Sequence, residues 1–152
     1  MTRSPRNLDQ ADWFHVFNRG ADRQDIFSLD GARPLFESLM AEAVESAGVE
    51  VHAYALMTNH FHLLVRACGD RLSAFMHRLS SRYAAAYNQR TERTGPLFEG
   101  RFRHVPITDD DHLLAEARYI ERNPLSYIPR GALANYRHAS LGAYVGRRDA
   151  DD

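Results

Sequence analysis

His60 and His62 stand two apart in the stretch Tyr54-Ala-Leu-Met-Thr-Asn-His-Phe-His-Leu-Leu-Val-Arg66. Side chains on a β-strand alternate with a period of two, so these imidazoles share one face. Phe61, Leu63, Leu64 and Val65 between and after them are apolar, so the strand otherwise reads as buried. A buried imidazole needs a partner, and one divalent ion satisfies two at once. The pair is a candidate metal site. A strand histidine can equally be a hydrogen-bonded core or edge residue. With eight histidines in the chain, an i, i+2 pair can also arise by chance. His-x-His by itself leaves both readings open.

A second pair lies about sixty residues downstream. Leu113, Leu114, Ala117 and Ile120 form one apolar stripe on a helix. Tyr119 falls roughly 150° from the centre of that stripe, off the main core face. Asn123 follows it by one turn, so the two side chains project together. A phenol and an amide side by side suit a site. The alternative is a half-exposed tyrosine followed by an asparagine that ends its helix before Pro124.

The elements that must position these residues follow from periodicity. Asp12 to Asn18 is aromatic and β-branched and reads as a first strand. Leu35, Phe36, Leu39, Met40, Ala43 and Val44 recur at helical spacing, giving a helix from about Asp30 to Ala47, with Gly48 as its stop. Val49 to Met57 and His60 to Ala67 are strands joined by Thr58-Asn59, an antiparallel hairpin. Arg71 to Arg90 carries Leu72, Phe75, Met76, Leu79, Tyr83 and Ala86 at spacings of three and four, a second amphipathic helix. A fourth strand lies within Leu97 to Ile107. A third helix, with Thr108 as N-cap, runs to about Arg122 before Pro124. Tyr127 to Tyr144 is short and mixed, with room for one more helix. The order β-α-β-β-α-β-α predicts an α+β, ferredoxin-like split β-α-β fold: an antiparallel sheet with helices on one face.

At 152 residues the chain reads as a single domain, with a core at about 12–146 and flexible ends. No apolar run is long enough to span a bilayer, and the first residues lack a signal-peptide core. One cysteine, Cys68, excludes an internal disulfide and fits a reducing cytoplasm. Any metal must therefore use His, carboxylate or amide ligands. The net charge of −1 does not by itself point to nucleic acid, but distribution matters more than the sum. All 19 basic residues are Arg, and between Asn59 and His104 eight of them face only three acids. Arginine binds phosphate in a bidentate manner and stacks on bases. A solvated face written in arginine by codon bias is the competing account.

Several strings together resemble a known family, the REP-associated tyrosine transposases, within the IS200-like, single-tyrosine HUH transposases. They are Phe14-His-Val-Phe-Asn-Arg-Gly-Ala-Asp-Arg-Gln-Asp-Ile-Phe27, Ala53-Tyr-Ala-Leu-Met-Thr-Asn-His-Phe-His-Leu-Leu-Val65 and Met76-His-Arg-Leu-Ser-Ser-Arg-Tyr-Ala-Ala-Ala-Tyr-Asn88. To these add Gly95-Pro-Leu-Phe-Glu-Gly-Arg-Phe102, Tyr119-Ile-Glu-Arg-Asn-Pro124 and Tyr136-Arg-His-Ala-Ser-Leu-Gly-Ala-Tyr-Val-Gly146. In the last, the family more often has Trp where this chain has His138. The Asn-His-Phe-His string followed at this distance by Tyr-Ile-x-x-Asn-Pro is far more specific than either half.

The resemblance implies His60 and His62 as metal ligands, Asn123 as third ligand and Tyr119 as nucleophile. It implies Mg²⁺ or Mn²⁺, with Mn²⁺ the tighter binder because Mg²⁺ prefers oxygen ligands. The activity implied is cleavage and rejoining of single-stranded DNA at hairpin-forming repeats, through a 5′-phosphotyrosine that conserves the bond energy. The phenol, with a reference pKa of about 10, needs help to lose its proton. Arg78, Arg82, Arg90, Arg101 and Arg103 are candidates for backbone contacts, joined by Arg118 and Arg122 beside the nucleophile, with Tyr83 or Tyr87 stacking on bases. The roles of His15, His52, His77 and His104 stay open at this point; His52, on a strand, reads as structural or DNA-contacting before catalytic. The expected partner is hairpin or single-stranded DNA, with no membrane, and the protein is a monomer or a homodimer. Competing readings are a domesticated, non-cleaving hairpin-binding protein, a metal-dependent hydrolase that uses water, and a ferredoxin-like RNA-binding domain.

Overall fold

The computed structural model describes residues 12–126. The expected helix after Tyr127, the closing Tyr136–Gly146 segment and both chain ends lie outside the described residues. Four strands, β1 (Asp12–Arg19), β2 (Glu50–Leu56), β3 (His60–Ala67) and β4 (Arg103–Ile107), alternate with three helices. These are α1 (Ala32–Ala47), α2 (Arg71–Thr91) and α3 (Asp110–Arg122), the last followed by a 3-10 turn at Asn123–Ser126. The sheet order is β2-β3-β1-β4 with all neighbours antiparallel. The expected element order and split β-α-β topology are both present.

Two faces of β3 explain the layering. Phe61, Leu63, Val65 and Ala67 point to one side and join the main core with Phe36, Met40, Phe75, Met76, Leu79 and Tyr83 of α1 and α2. Burying each large apolar side chain there contributes about 1.5–3 kcal/mol. His60, His62 and Leu64 point to the other side. Helices on one face therefore holds for α1 and α2, whereas α3 lies on the opposite face. Ala53, Ala55, Met57 and Leu64 leave a second apolar patch there, which Ile120, Leu113 and Ala117 of α3 cover, flanked by Trp13 and Ile107. A strand apolar on alternate residues needs one cover; this one, apolar on both faces, needs two.

Details differ from the sequence reading at three places. The N-cap of α3 is Asp109, whose Oδ1 accepts the His112 backbone N–H at 2.8 Å, and not Thr108. Leu114 is 55% exposed and stands outside the apolar stripe of α3. Tyr83 and Tyr87 are buried core residues: Tyr83 donates its hydroxyl to the Ile26 carbonyl, and the Tyr87 hydroxyl lies 2.8 Å from Ser28 Oγ. Neither ring is available to stack on a base.

Candidate active site

Three successive turns of α3 meet three histidines on the sheet. Register places His15 on β1 opposite Leu64, and Phe17 opposite His62, so His15 and His62 stand on adjacent strands of the same face. His15 Nε2 lies 2.9 Å from His62 Nδ1, and both side chains are almost fully buried. Glu116 Oε2 is 2.7 Å from His15 Nδ1. The Tyr119 ring packs edge-on against His15 and His62, at centroid distances of 5.7 and 5.6 Å. Asn123, at the C-cap of α3, hydrogen-bonds His60. On a helix Glu116, Tyr119 and Asn123 fall within about 60° of one another, beside the Leu113–Ala117–Ile120 stripe. The apolar stripe docks the helix and the adjacent polar stripe faces the histidines.

Burial governs the protonation of these imidazoles. His62 is pushed down to about 3, first by desolvation and then by the neighbouring His15 and His60. His60 is lowered by desolvation, against a hydrogen bond to Asn123 that pulls the other way. Desolvation also lowers His15, with Glu116 pulling the other way. All three are neutral at neutral pH, the form that ligates a metal.

The donor set fits a divalent ion. His60 Nδ1 is 2.7 Å from Asn59 Oδ1, and His62 Nδ1 is taken by His15. His62 therefore keeps its Nε2 uncommitted, and His60 turns its other nitrogen to the Asn123 amide. Among the described residues no three His, Cys, Asp or Glu side chains form a metal-binding group, and the further side chain that stands with the two histidines is the Asn123 amide.

These groups open onto a cavity of about 390 Å³ that His60, His62, Tyr119, Arg19, Arg23 and Arg103 help to line. Tyr119 is 54% exposed, unusual for a tyrosine packed on two buried rings. Arg19 is paired with Glu99 through both carboxylate oxygens. Arg23 reaches the cavity from a tight loop with left-handed backbone at φ 58°. Gly20 starts that loop, where a Cβ would come within 2.2 Å of the Gln24 carbonyl oxygen.

The sequence matches the family of IS200-like transposases over residues 11–123, a span holding every element from β1 to α3. The chain belongs to the IS200-like transposases. Among solved structures, this IS200-like chain is similar to a REP-associated tyrosine transposase bound to a REP hairpin. The identity is 15%, with 100% of this chain and 91% of that chain covered and a TM-score of 0.73. It is also similar to a putative transposase from Deinococcus radiodurans R1, at 17% identity, 81% and 97% coverage and a TM-score of 0.53. At such identities the likeness is one of fold. No curated protein matches the chain.

Of the residues singled out from the sequence, His60, His62, Tyr119 and Asn123 come together on one face. Arg103 lines the same cavity, and Arg118 and Arg122 lie beside Tyr119 and Asn123 on the outer side of α3. Arg101 is exposed just before β4. Arg78, Arg82 and Arg90 are exposed on α2, across the sheet from the cavity, and Arg82 pairs with Glu42 of α1. His52 packs against Trp13 and bonds Glu50, outside the cavity. Sequence reasoning left the role of His15 open and passed over Glu116, Arg19 and Arg23. Glu116 was within reach, because it sits one turn before Tyr119 on the same helical stripe. His15 was not, because only the β1–β3 register brings it to His62. No helix among the described residues is long and apolar enough to cross a membrane.

Proposed function

We propose that this IS200-like transposase is a divalent-metal-dependent enzyme that nicks and rejoins single-stranded DNA beside hairpin-forming repeats. The observation that carries the reading is an exposed phenol, Tyr119, packed on the buried, neutral His62, whose Nε2 is uncommitted, with His60 and Asn123 beside it. His60, His62 and Asn123 would hold Mg²⁺ or Mn²⁺. When bound, the ion would polarise the scissile phosphate and offset charge on its oxygens. Tyr119 Oη would form a bond to phosphorus as the P–O3′ bond breaks, leaving a 5′-phosphotyrosine and a 3′-OH that ends with the phenolic proton. Reversal with another 3′-OH rejoins strands without an external energy source. Arg103, Arg118 and Arg122 would hold the strand to be cut, with Arg101 at the edge of the site. The hairpin bound by the structurally similar REP-associated transposase supports the same class of substrate here.

Denaturing gels of wild type and Tyr119→Phe, with hairpin-containing single strands and Mn²⁺ or EDTA, test this. A denaturation-resistant protein–DNA band is expected in Mn²⁺ with wild type, and none in EDTA or with Tyr119→Phe. Cleavage without that band, undiminished in Tyr119→Phe, would instead identify a water-using hydrolase. Binding with no cleavage in any metal would identify a non-cutting hairpin binder.

A further inference from the structure

We propose that Glu116 and His15 are positioning residues that fix the tautomer of His62, holding its proton on Nδ1 and leaving Nε2 bare for a cation. The inference rests on the metal reading above for its purpose, but its geometry stands in the metal-free protein. A carboxylate only accepts hydrogen bonds. Glu116 Oε2, 2.7 Å from His15 Nδ1, therefore places the His15 proton on Nδ1. A neutral imidazole has one N–H, so His15 Nε2 is an acceptor. The atom 2.9 Å from it, His62 Nδ1, must then be the donor. The chain of constraint ends on the Nε2 lone pair of His62. His112 holds the other oxygen of Glu116, with Nε2 3.4 Å from Oε1, and keeps the carboxylate in place.

His60 reaches the same tautomer by a different route. Its Nδ1 donates to Asn59 Oδ1 at 2.7 Å, a partner adjacent in sequence. The two imidazoles thus share the Nδ1–H tautomer, His60's set within the β2–β3 hairpin, with Asn123 at its other nitrogen, and His62's set from α3. Glu116 shares α3 with Tyr119, so the contact that orders His62 also docks the helix bearing the tyrosine. A cation site whose one ligand is oriented by the tyrosine helix is complete only when that helix is seated.

The first measurement is long-range ¹⁵N–¹H correlation of the histidine rings in metal-free wild type. The expected pattern is Nδ1–H with bare Nε2 for both His60 and His62; Nε2–H at His62 would overturn the proposal. The second compares His15→Leu, Glu116→Leu and His15→Gln. In the two leucine variants His62 should become a tautomer mixture while His60 is unchanged. Mn²⁺ affinity, read from the EPR signal of free Mn²⁺, should fall about 10–100-fold, the usual loss when an outer partner of a ligand is removed. His15→Gln, whose Oε1 can accept from His62 Nδ1, should stay within a few-fold of wild type, which a purely structural contact would not require. Folded leucine variants with wild-type tautomer and affinity would overturn the proposal. A wild type with Nδ1–H at His62 that binds no Mn²⁺ would sink the metal reading and leave the relay supported.

Discussion

Protonation at the histidine cluster has a consequence for the whole chain. In the unfolded state His15, His60 and His62 titrate near the reference value of about 6.5. In the folded protein burial lowers all three, His62 to about 3. Below the unfolded value the unfolded chain binds more protons than the folded one, so stability rises with pH across that window. The metal-free protein should be most stable above about pH 7 and lose stability as pH falls through 6.5 toward 5. Glu50 and Glu99, lowered chiefly by hydrogen bonds from His52 and Arg19, act only below the ordinary carboxylate range and do not contribute there. Thermal melts from pH 7.5 to 5 in EDTA check this. A flat profile, or a His62→Gln variant with an unchanged slope, would rule it out.

At the scale of an element, α3 is the piece on which the site depends. Thirteen residues carry both the apolar stripe that seats the helix and the polar stripe that meets the histidines. Its first turn is held by Asp109, backed by Asp110 and Asp111 at the positive end of the helix dipole. Losing such a cap costs about 1 kcal/mol. Asp109→Ala should therefore lower the melting temperature and, because Glu116 and Tyr119 ride on the same helix, reduce the yield of covalent adduct. Asp109→Asn, which can still cap, should restore both. Equal adduct yield in all three proteins would mean that the seating of α3 does not limit the chemistry.

For the whole molecule, the sheet acts as a partition. Tyr119, the histidines and Arg103 are on one face; α1 and α2, with Arg78, Arg82 and Arg90, are on the other. We expect a short strand to touch only the first face and a longer hairpin to reach around to the second. Each phosphate contact removed lowers the slope of binding against salt by about 1. Arg103→Gln should lower it for a short strand and a hairpin alike, whereas Arg78→Ala, Arg82→Ala and Arg90→Ala combined should lower it only for the hairpin. Fluorescence anisotropy across a salt series reads both. An equal effect of the triple variant on both substrates would remove the partition as an explanation.

Much of this architecture is written in local pattern. The period-two alternation around His60 and His62, the stripes of α1 and α2 and the Pro124 stop of α3 are near-neighbour properties, set by strand pleat, helical pitch and proline sterics. That is why the element order, the pairing of Tyr119 with Asn123 and the family were readable from the chain. The tertiary structure alone decided which face α3 would cover. Leu64 belongs to a strand apolar on both sides, and alternation cannot say what packs on each. It alone decided that Tyr83 and Tyr87 would be core, because a helix shows which residues share a side and not how deep that side lies. It alone brought His15 to His62, since the register between β1 and β3, separated by more than forty residues, is fixed by packing of the whole sheet and leaves no mark in local spacing.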